Sequence, residues 1–357
     1  MSRAWEPLPL PLDRADVVLG LERLVYGEAA EVAEPAFYDW LYRRNPSGEA
    51  LVWHAATGDP RCPSAGQVVL VPLRFRVAGT AGVAGLALNV VTHPEHRRQG
   101  VFAALAAGAT EEAERRGMLF TWALPNPNSY PGFLRLGYTD VGRVPLLLCP
   151  LEPSKLDPGG GAAWRLAVRA GARAIRAVTR PGHRRAAAAI VEEVPPDWEG
   201  WDALWRRLED KYPVMVVRDR AHLSWRFGEC PTRRYRLYLA RIGGEPAGFI
   251  ATRLATVAGM SAGLVVDLLV VAGRGNEAGS ALVERAFEEF RGAATGLAAS
   301  LMLPHAEEHA CLRAAGFLPC PRFLEPQPFR VVFKSRGPSP ARELSAWFLT
   351  MADYDVV

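Results

Sequence analysis

The stretch "NVVTHPEHRRQGVFAALAAGATEEAERRG", residues 89–117, runs from an apolar strand through a basic turn into a helix, and the turn decides how the chain is read. The apolar run ending before His93 predicts the strand, and the Ala/Leu/Glu-rich run after Gly100 predicts the helix. A helix opens with backbone N–H groups that have no intrahelical acceptor, and its dipole places partial positive charge there. Gly100 lets a ligand approach the main chain closely, and Arg97 and Arg98 raise the local potential, so the turn suits a phosphate-bearing anion. Neither G-x-G-x-x-G nor G-x-x-x-x-G-K-[ST] is present, which disfavours dinucleotides and ATP. Taken alone, the hexapeptide RRQGVF also reads as a surface turn with solvated arginines.

Outward from this segment the chain repeats itself. "DWLYRRNP" from Asp39 is answered by "SWRFGECP" from Ser224, and "GLALNVV" from Gly85 by "GLVVDLLV" from Gly263. "LPNPNSYPGFLRLGY" from Leu124 and "LPHAEEHACLRAAGF" from Leu303 place Leu-Pro and Gly-aromatic the same 13 residues apart. Three matches in one order predict a duplicated unit. Each copy reads as a helical start, two or three strands, a strand-loop-helix, a strand starting near Met118 or Leu297, and a short helix. That is a mixed α/β (α+β) fold, divided at 1–152, 153–196 and 197–357. The middle segment is bounded by Pro-Gly-Gly-Gly and by Pro195-Pro196. In it Arg165, Arg169, Arg173, Arg176 and Arg180 flank an apolar stripe of Trp164, Val168, Ala172 and Ile175. This predicts a covering helix with a solvated basic face; binding of nucleic acid or an anionic surface is the alternative.

Composition bounds the function classes. With 357 residues, 49% hydrophobic and 22% charged, the chain is long enough for two ordinary cores. Its net charge of +4 is small, and Lys155, Lys211 and Lys334 are the only lysines, so a nucleic-acid partner is not favoured. The five cysteines show no C-x-x-C and read as reduced core thiols, with no metal site expected. No signal-peptide pattern opens the chain, and "GLVVDLLVVAG" is interrupted by Asp267 and too short for a bilayer, so a cytoplasmic protein without a membrane span is expected.

The strand, "THPEHRRQGVFAAL", the helix ending in "ERRG" and "MLFTWALPNPNSYPGFLRLGY" together resemble motifs A and B of the GNAT N-acetyltransferase superfamily. In its loop pattern [QR]-x-x-G-x-[GA], Arg97 and Gly100 fill the first two places and Phe102 departs at the third. The resemblance covers most of 35–150 and, more weakly, 220–335. It extends to tandem-GNAT bacterial proteins and, distantly, to the enhanced-intracellular-survival acetyltransferases. It implies two tandem GNAT-like domains, the second degenerate, and an N-acyltransferase in which a small-molecule amine, such as that of an amino sugar, attacks the thioester of acetyl-CoA or another acyl-CoA. Main-chain groups of Val90, Val91 and Thr92 are expected to pair with pantetheine. Arg97 and the amides of Arg98, Gln99, Gly100, Val101, Phe102 and Ala103 are expected to hold the pyrophosphate, with Asn128 also at the cofactor.

The same resemblance bears on the chemistry. The usual Tyr position is Phe133, and Tyr130, one turn away, is the nearest phenol. A terminal carboxylate at Val357, near Asp353 and Asp355, is the candidate base, and a frayed tail is the alternative reading of the same ending. On the strand before the loop, alternation puts Leu86, Leu88 and Val90 on one face, with no carboxylate among them. His93 and His96 flank the loop and read as solvated, while Trp53, Trp122 and Tyr130 suit either a sugar face or the core. Aligning "QGVFAAL" with "NEAGSAL" puts Glu277 where Gly100 sits, so the second copy is expected not to bind coenzyme A. A non-catalytic coenzyme A sensor is the alternative function, and a homo-oligomer stays open.

Overall fold

Two long hairpins form the spine of the molecule. Ser64–Val77 pairs antiparallel with Thr80–Thr92, and Glu245–Val257 with Met260–Val270. The first turns through Ala78 and Gly79, both at positive φ (48° and 80°), as a two-residue loop between right-twisted strands requires. The computed structural model describes residues 4–156, 161–178, 189–257 and 259–353.

Around these hairpins the strands assemble into two sheets of one topology. The first runs, neighbour to neighbour, Glu6–Leu10, Leu51–Ala56, Ser64–Val77, Thr80–Thr92, Thr121–Ala123, Arg330–Lys334, Thr139–Arg143. The second runs Ala189–Val194, Arg236–Ile242, Glu245–Val257, Met260–Val270, Leu297–Leu301, Leu146–Pro150, Leu318–Pro319. In each the fourth and fifth strands are parallel, and the helix that joins them, Val101–Arg115 or Ser280–Gly292, makes the crossover. The predicted duplication is therefore present as two halves of one topology. Val214–Val216 and the late strand Trp347–Phe348 extend the first sheet beside Ser64–Val77.

The sixth place in each sheet is filled from the other half. Leu146–Pro150 lies in the second sheet although it precedes residue 152, and Arg330–Lys334 lies in the first although it follows residue 196. The stretches bounded at 152 and 196 are thus not two separate sheets. The middle segment does carry a helix, Ala162–Val178, and the strand Ala189–Val194. Its stripe residues Trp164 and Ile175 have no described side chains, and Arg180 lies outside the described residues.

One buried cluster spans both halves, and a smaller one lies under the helix Val101–Arg115 against the first sheet. At the centre of the larger, Trp40 and Trp225, matched residues of the duplicated segments, stack at 5.0 Å between ring centroids. Trp40 Nε1 donates to the Trp225 carbonyl (2.8 Å) and Trp225 Nε1 to the Trp40 carbonyl (2.9 Å), so the contact is reciprocal about a pseudo-two-fold axis. Trp122 is fully buried in the core, and half-buried Trp53 packs over Gly108 against the cluster under the helix.

Candidate active site

The parallel pairing between Thr80–Thr92 and Thr121–Ala123 holds only from Gly85 to Ala87. Beyond it a bulge breaks the neighbouring ladder: Val69 faces Leu88 but Gln67 faces Val91, so Asn89 and Val90 oppose Val68 alone. Asn89 sits at φ 45°, a left-handed backbone that Asn tolerates better than most residues. The bulge also flips the face. Leu86 and Leu88 join the large core, whereas Val90 packs with the cluster under the helix. Simple alternation put the three on one side, and the extra residue is why they are not.

The strands therefore diverge around a cleft of ≈ 290 Å³, walled by Leu88, Asn89 and Val90 on one side and by Ala123 to Asn126 on the other. Val90 has no ladder partner among the described residues, which leaves its main chain available to a ligand, while Val91 and Thr92 remain paired to Gln67 and Gly66.

At the end of this cleft the turn leads into Val101–Arg115. Arg98 and Gly100 both adopt positive φ (64° and 79°), and Arg97, Arg98, Gln99 and Gly100 are exposed. No side chain caps the helix, and the amides of Arg98 to Ala103 have no acceptor among the described residues. Phe102 does not obstruct this cradle. Its ring leans sideways, edge-on to Phe133 at 5.2 Å and over Gly132, where an added Cβ would meet it at 2.3 Å. Gly132 thus accommodates the bulk that departs from the motif. Asn128 is exposed, its amide held by Asn126 Oδ1 at 2.9 Å, and its side chain is not among the groups lining the cleft.

Tyr130 is placed elsewhere. Its hydroxyl donates to Asp140 Oδ2 at 2.6 Å, and the Arg330 guanidinium, also bonded to Asp140, lies over the ring at 4.9 Å. The hydrogen bond to the carboxylate raises the phenol pKa, so it holds its proton, and it does not line the cleft. Val357 and Asp355 lie outside the described residues. Asp353 is buried in the second half, bonded to Arg218.

The cleft wall instead leads to groups that sequence reasoning missed. Asn89 Nδ2 donates to Tyr42 Oη (2.5 Å), Tyr42 Oη donates to Glu22 Oε1 (3.2 Å), and Gln67 Nε2 donates to the same oxygen (3.0 Å). Glu22 is fully buried, and burial pushes its carboxyl up to about 8 against the opposing pull of these two donors. Glu22 Oε2 and Asn89 Oδ1 are buried without a partner among the described residues. One turn beyond Glu22 on the helix Ala15–Tyr26, Tyr26 lines the cleft with about half of its surface exposed, and partial desolvation together with the nearby Glu22 raises its pKa. The available signal was Glu22 itself, an acid four residues after Val18 on the apolar stripe of "ADVVLGLERLVY".

The second half closes the corresponding places. Glu307 accepts the amides of Gly273 (3.2 Å) and Gly275 (2.7 Å), and Glu308 that of Val270 (3.0 Å), with Lys211 bonded to both carboxylates. An internal carboxylate thus occupies the helix start that a phosphate would use. Glu277, half-exposed and paired with Arg274, is not what fills it. Deeper in, Arg218 binds Asp267 and Asp353, each at 2.8 Å, and Met302 bridges to Thr350. The late segment of the chain therefore occupies the second divergence.

One stretch of the chain that carries the cleft and the cradle matches a known family. Residues 14–141 match the family described as acetyltransferase (GNAT) domain. The first lobe is a GNAT acetyltransferase domain. No curated protein matches the sequence at a significant level. Among solved structures, a GCN5-related N-acetyltransferase from Anabaena variabilis is similar with a TM-score of 0.65 at 12% identity, over 93% of this chain and 72% of that one. A protein from Enterococcus faecalis described as a probable N-acyltransferase gives 0.62 at 13% identity, with the same coverage. Saccharomyces cerevisiae N-myristoyltransferase, solved with myristoyl-CoA, gives 0.57 at 12%, over 93% and 79%. The GNAT fold thus extends over nearly the whole chain. Among the described residues no helix is long and apolar enough to cross a membrane.

A prediction separates the two explanations for the second lobe. Because Glu307 and not Glu277 occupies its amides, Glu277→Gly should leave the stoichiometry at one coenzyme A per chain by titration calorimetry. Two sites in that variant would reinstate Glu277 as the block.

Proposed function

We propose that the first GNAT lobe transfers an acyl group, acetyl by default, from acyl-CoA to the amine of a small molecule, an amino sugar being the favoured class, in the cytoplasm. The observation that carries this reading is the unpartnered amide cradle of Arg98 to Ala103 at the end of a strand divergence whose Val90 main chain is free. Pyrophosphate binds the cradle and pantetheine runs past Val90, which brings the thioester into the cleft beside Asn89 and Tyr26. The amine nitrogen attacks the carbonyl carbon, the C–S bond breaks, and the thiolate leaves.

Two protons must be moved. Asn89 Oδ1, unpartnered at the cleft wall, accepts an N–H of the bound amine and orients it. The proton shed on attack enters at Asn89 Oδ1 as Asn89 Nδ2 gives one to Tyr42 Oη and the Tyr42 proton moves to Glu22, which serves as the sink; the amide is restored when Asn89 loses the Oδ1 proton and regains one at Nδ2. Tyr26, which holds its proton firmly, supplies the departing thiolate. The second reading, a coenzyme A sensor, is favoured by Phe133 at the usual Tyr position and by the engagement of Tyr130 with Asp140.

The pH profile distinguishes them. Only ionised Glu22 can accept a proton, and its pKa is raised to about 8, so kcat/KM should rise about tenfold per pH unit up to that value. Glu22→Gln should flatten this limb and lower the rate at pH 8 by about 100-fold, with coenzyme A binding retained. Thiol release that does not depend on any of a panel of amines would favour the sensor. An unchanged limb in Glu22→Gln would remove Glu22 from the mechanism.

A further inference from the structure

Next to the cradle, and outside the acyl-transfer cleft, three metal-ligating side chains of the first sheet converge. Cys62 ends the turn between Leu51–Ala56 and Ser64–Val77, while His93 and His96 bracket the single-turn 3₁₀ helix Pro94–His96. The His93 amide donates to the Ala65 carbonyl at 3.0 Å, which fastens that turn to the strand after Cys62. His93 caps this single turn and His96 ends it, which brings the two imidazoles edge-on at 5.6 Å between centroids. One ligand atom from each of the three residues lies within 4.8 Å of the other two.

Two further observations set this group apart from solvated surface side chains. His96 Nδ1 is shielded from solvent and has no hydrogen-bond partner among the described residues. Cys62 is half-buried, and its thiol lies 3.8 Å from the Ser64 carbonyl, to which it donates, so the sulfur is held at the base of the strand rather than in open solvent. We propose that Cys62, His93 and His96 bind a divalent ion of the zinc class, with the fourth coordination position open to solvent. A thiolate with two imidazoles selects a borderline-soft ion over magnesium or calcium.

The geometry requires small adjustments. Zinc bonds of about 2.3 Å to sulfur and about 2.0–2.1 Å to nitrogen put tetrahedral ligand atoms about 3.3–3.6 Å apart. The half-exposed side chains therefore close by about 1 Å. The Glu95 amide donates to His93 Nδ1 at a long 3.3 Å, which leaves the ring loosely held, and the Cys62 proton leaves to solvent as the thiolate binds. The ion would tie the turn before Ser64 to the segment that opens into the phosphate cradle at Arg97. This site stands independently of what the cradle holds.

Cobalt(II), added to the full-length chain stripped with a chelator, is a spectroscopic probe for such a site. The expected result is a thiolate-to-cobalt charge-transfer band with tetrahedral d–d bands, saturating at one ion per chain and displaced by zinc. Cys62→Ser should lose the charge-transfer band, and His96→Ala should weaken binding by at least about tenfold. Zinc should raise the thermal midpoint of the wild-type chain and not that of Cys62→Ser. Absence of the band in the wild-type chain, or its persistence in Cys62→Ser, would overturn the assignment.

Discussion

Gly100→Glu is expected to abolish coenzyme A binding while leaving the fold intact. At φ 79° Gly100 occupies the left-handed region, so any side chain costs about 1–2 kcal/mol, but an added Cβ meets no atom within 4 Å. The dominant effect is electrostatic. A carboxylate about 4 Å from a phosphate at an effective dielectric near 20 is repelled by about 4 kcal/mol, roughly a thousandfold in Kd. Gly100→Ala separates the two contributions, since it carries the backbone strain without the charge. Thermal midpoints with and without coenzyme A provide the measurement: the ligand-induced rise should persist in reduced form in Gly100→Ala and vanish in Gly100→Glu. A Gly100→Glu chain stabilised like the wild type would mean that the cradle does not hold the diphosphate.

The second large effect is on stability. Trp40→Ala removes a fully buried indole, for which about 3–5 kcal/mol is typical, and leaves the Trp225 carbonyl without its donor. The loss should reach about 5 kcal/mol, comparable with the entire net stability of many proteins. Trp225→Ala should cost a similar amount, and the double variant much less than the sum, because each substitution already dismantles the shared stack. Urea midpoints of the two single variants and the double variant test this. Additive losses would show that the rings do not act as one unit.

How much was legible follows from the range of each interaction. The cradle could be read because a turn, a glycine and a helix start are contiguous in sequence. The duplication could be read because Trp40 and Trp225 stand in matched short motifs. The bulge at Asn89 was not legible, since an extra residue shows only against a partner strand, and it moved Val90 to the opposite face. Glu22 was missed because a lone acid on an amphipathic helix gains its meaning from Tyr42 and Asn89, far away in sequence. Glu307 was missed for a similar reason: an acid at a helix start is common, and only the fold brings it to the amides of another helix start. "HPEH" displayed its two imidazoles, but Cys62 arrives from a different hairpin.

The exchange of Leu146–Pro150 and Arg330–Lys334 between sheets has a consequence for biosynthesis. While the nascent polypeptide is emerging, the earlier lobe has a slot beside Thr121–Ala123 that nothing translated so far can fill. It stays unfinished until residue 334 has left the ribosomal tunnel, so maturation cannot proceed vectorially, one lobe after the other. A gene split between the lobes would yield two polypeptides that each lack an inner strand and can complete themselves only by finding one another.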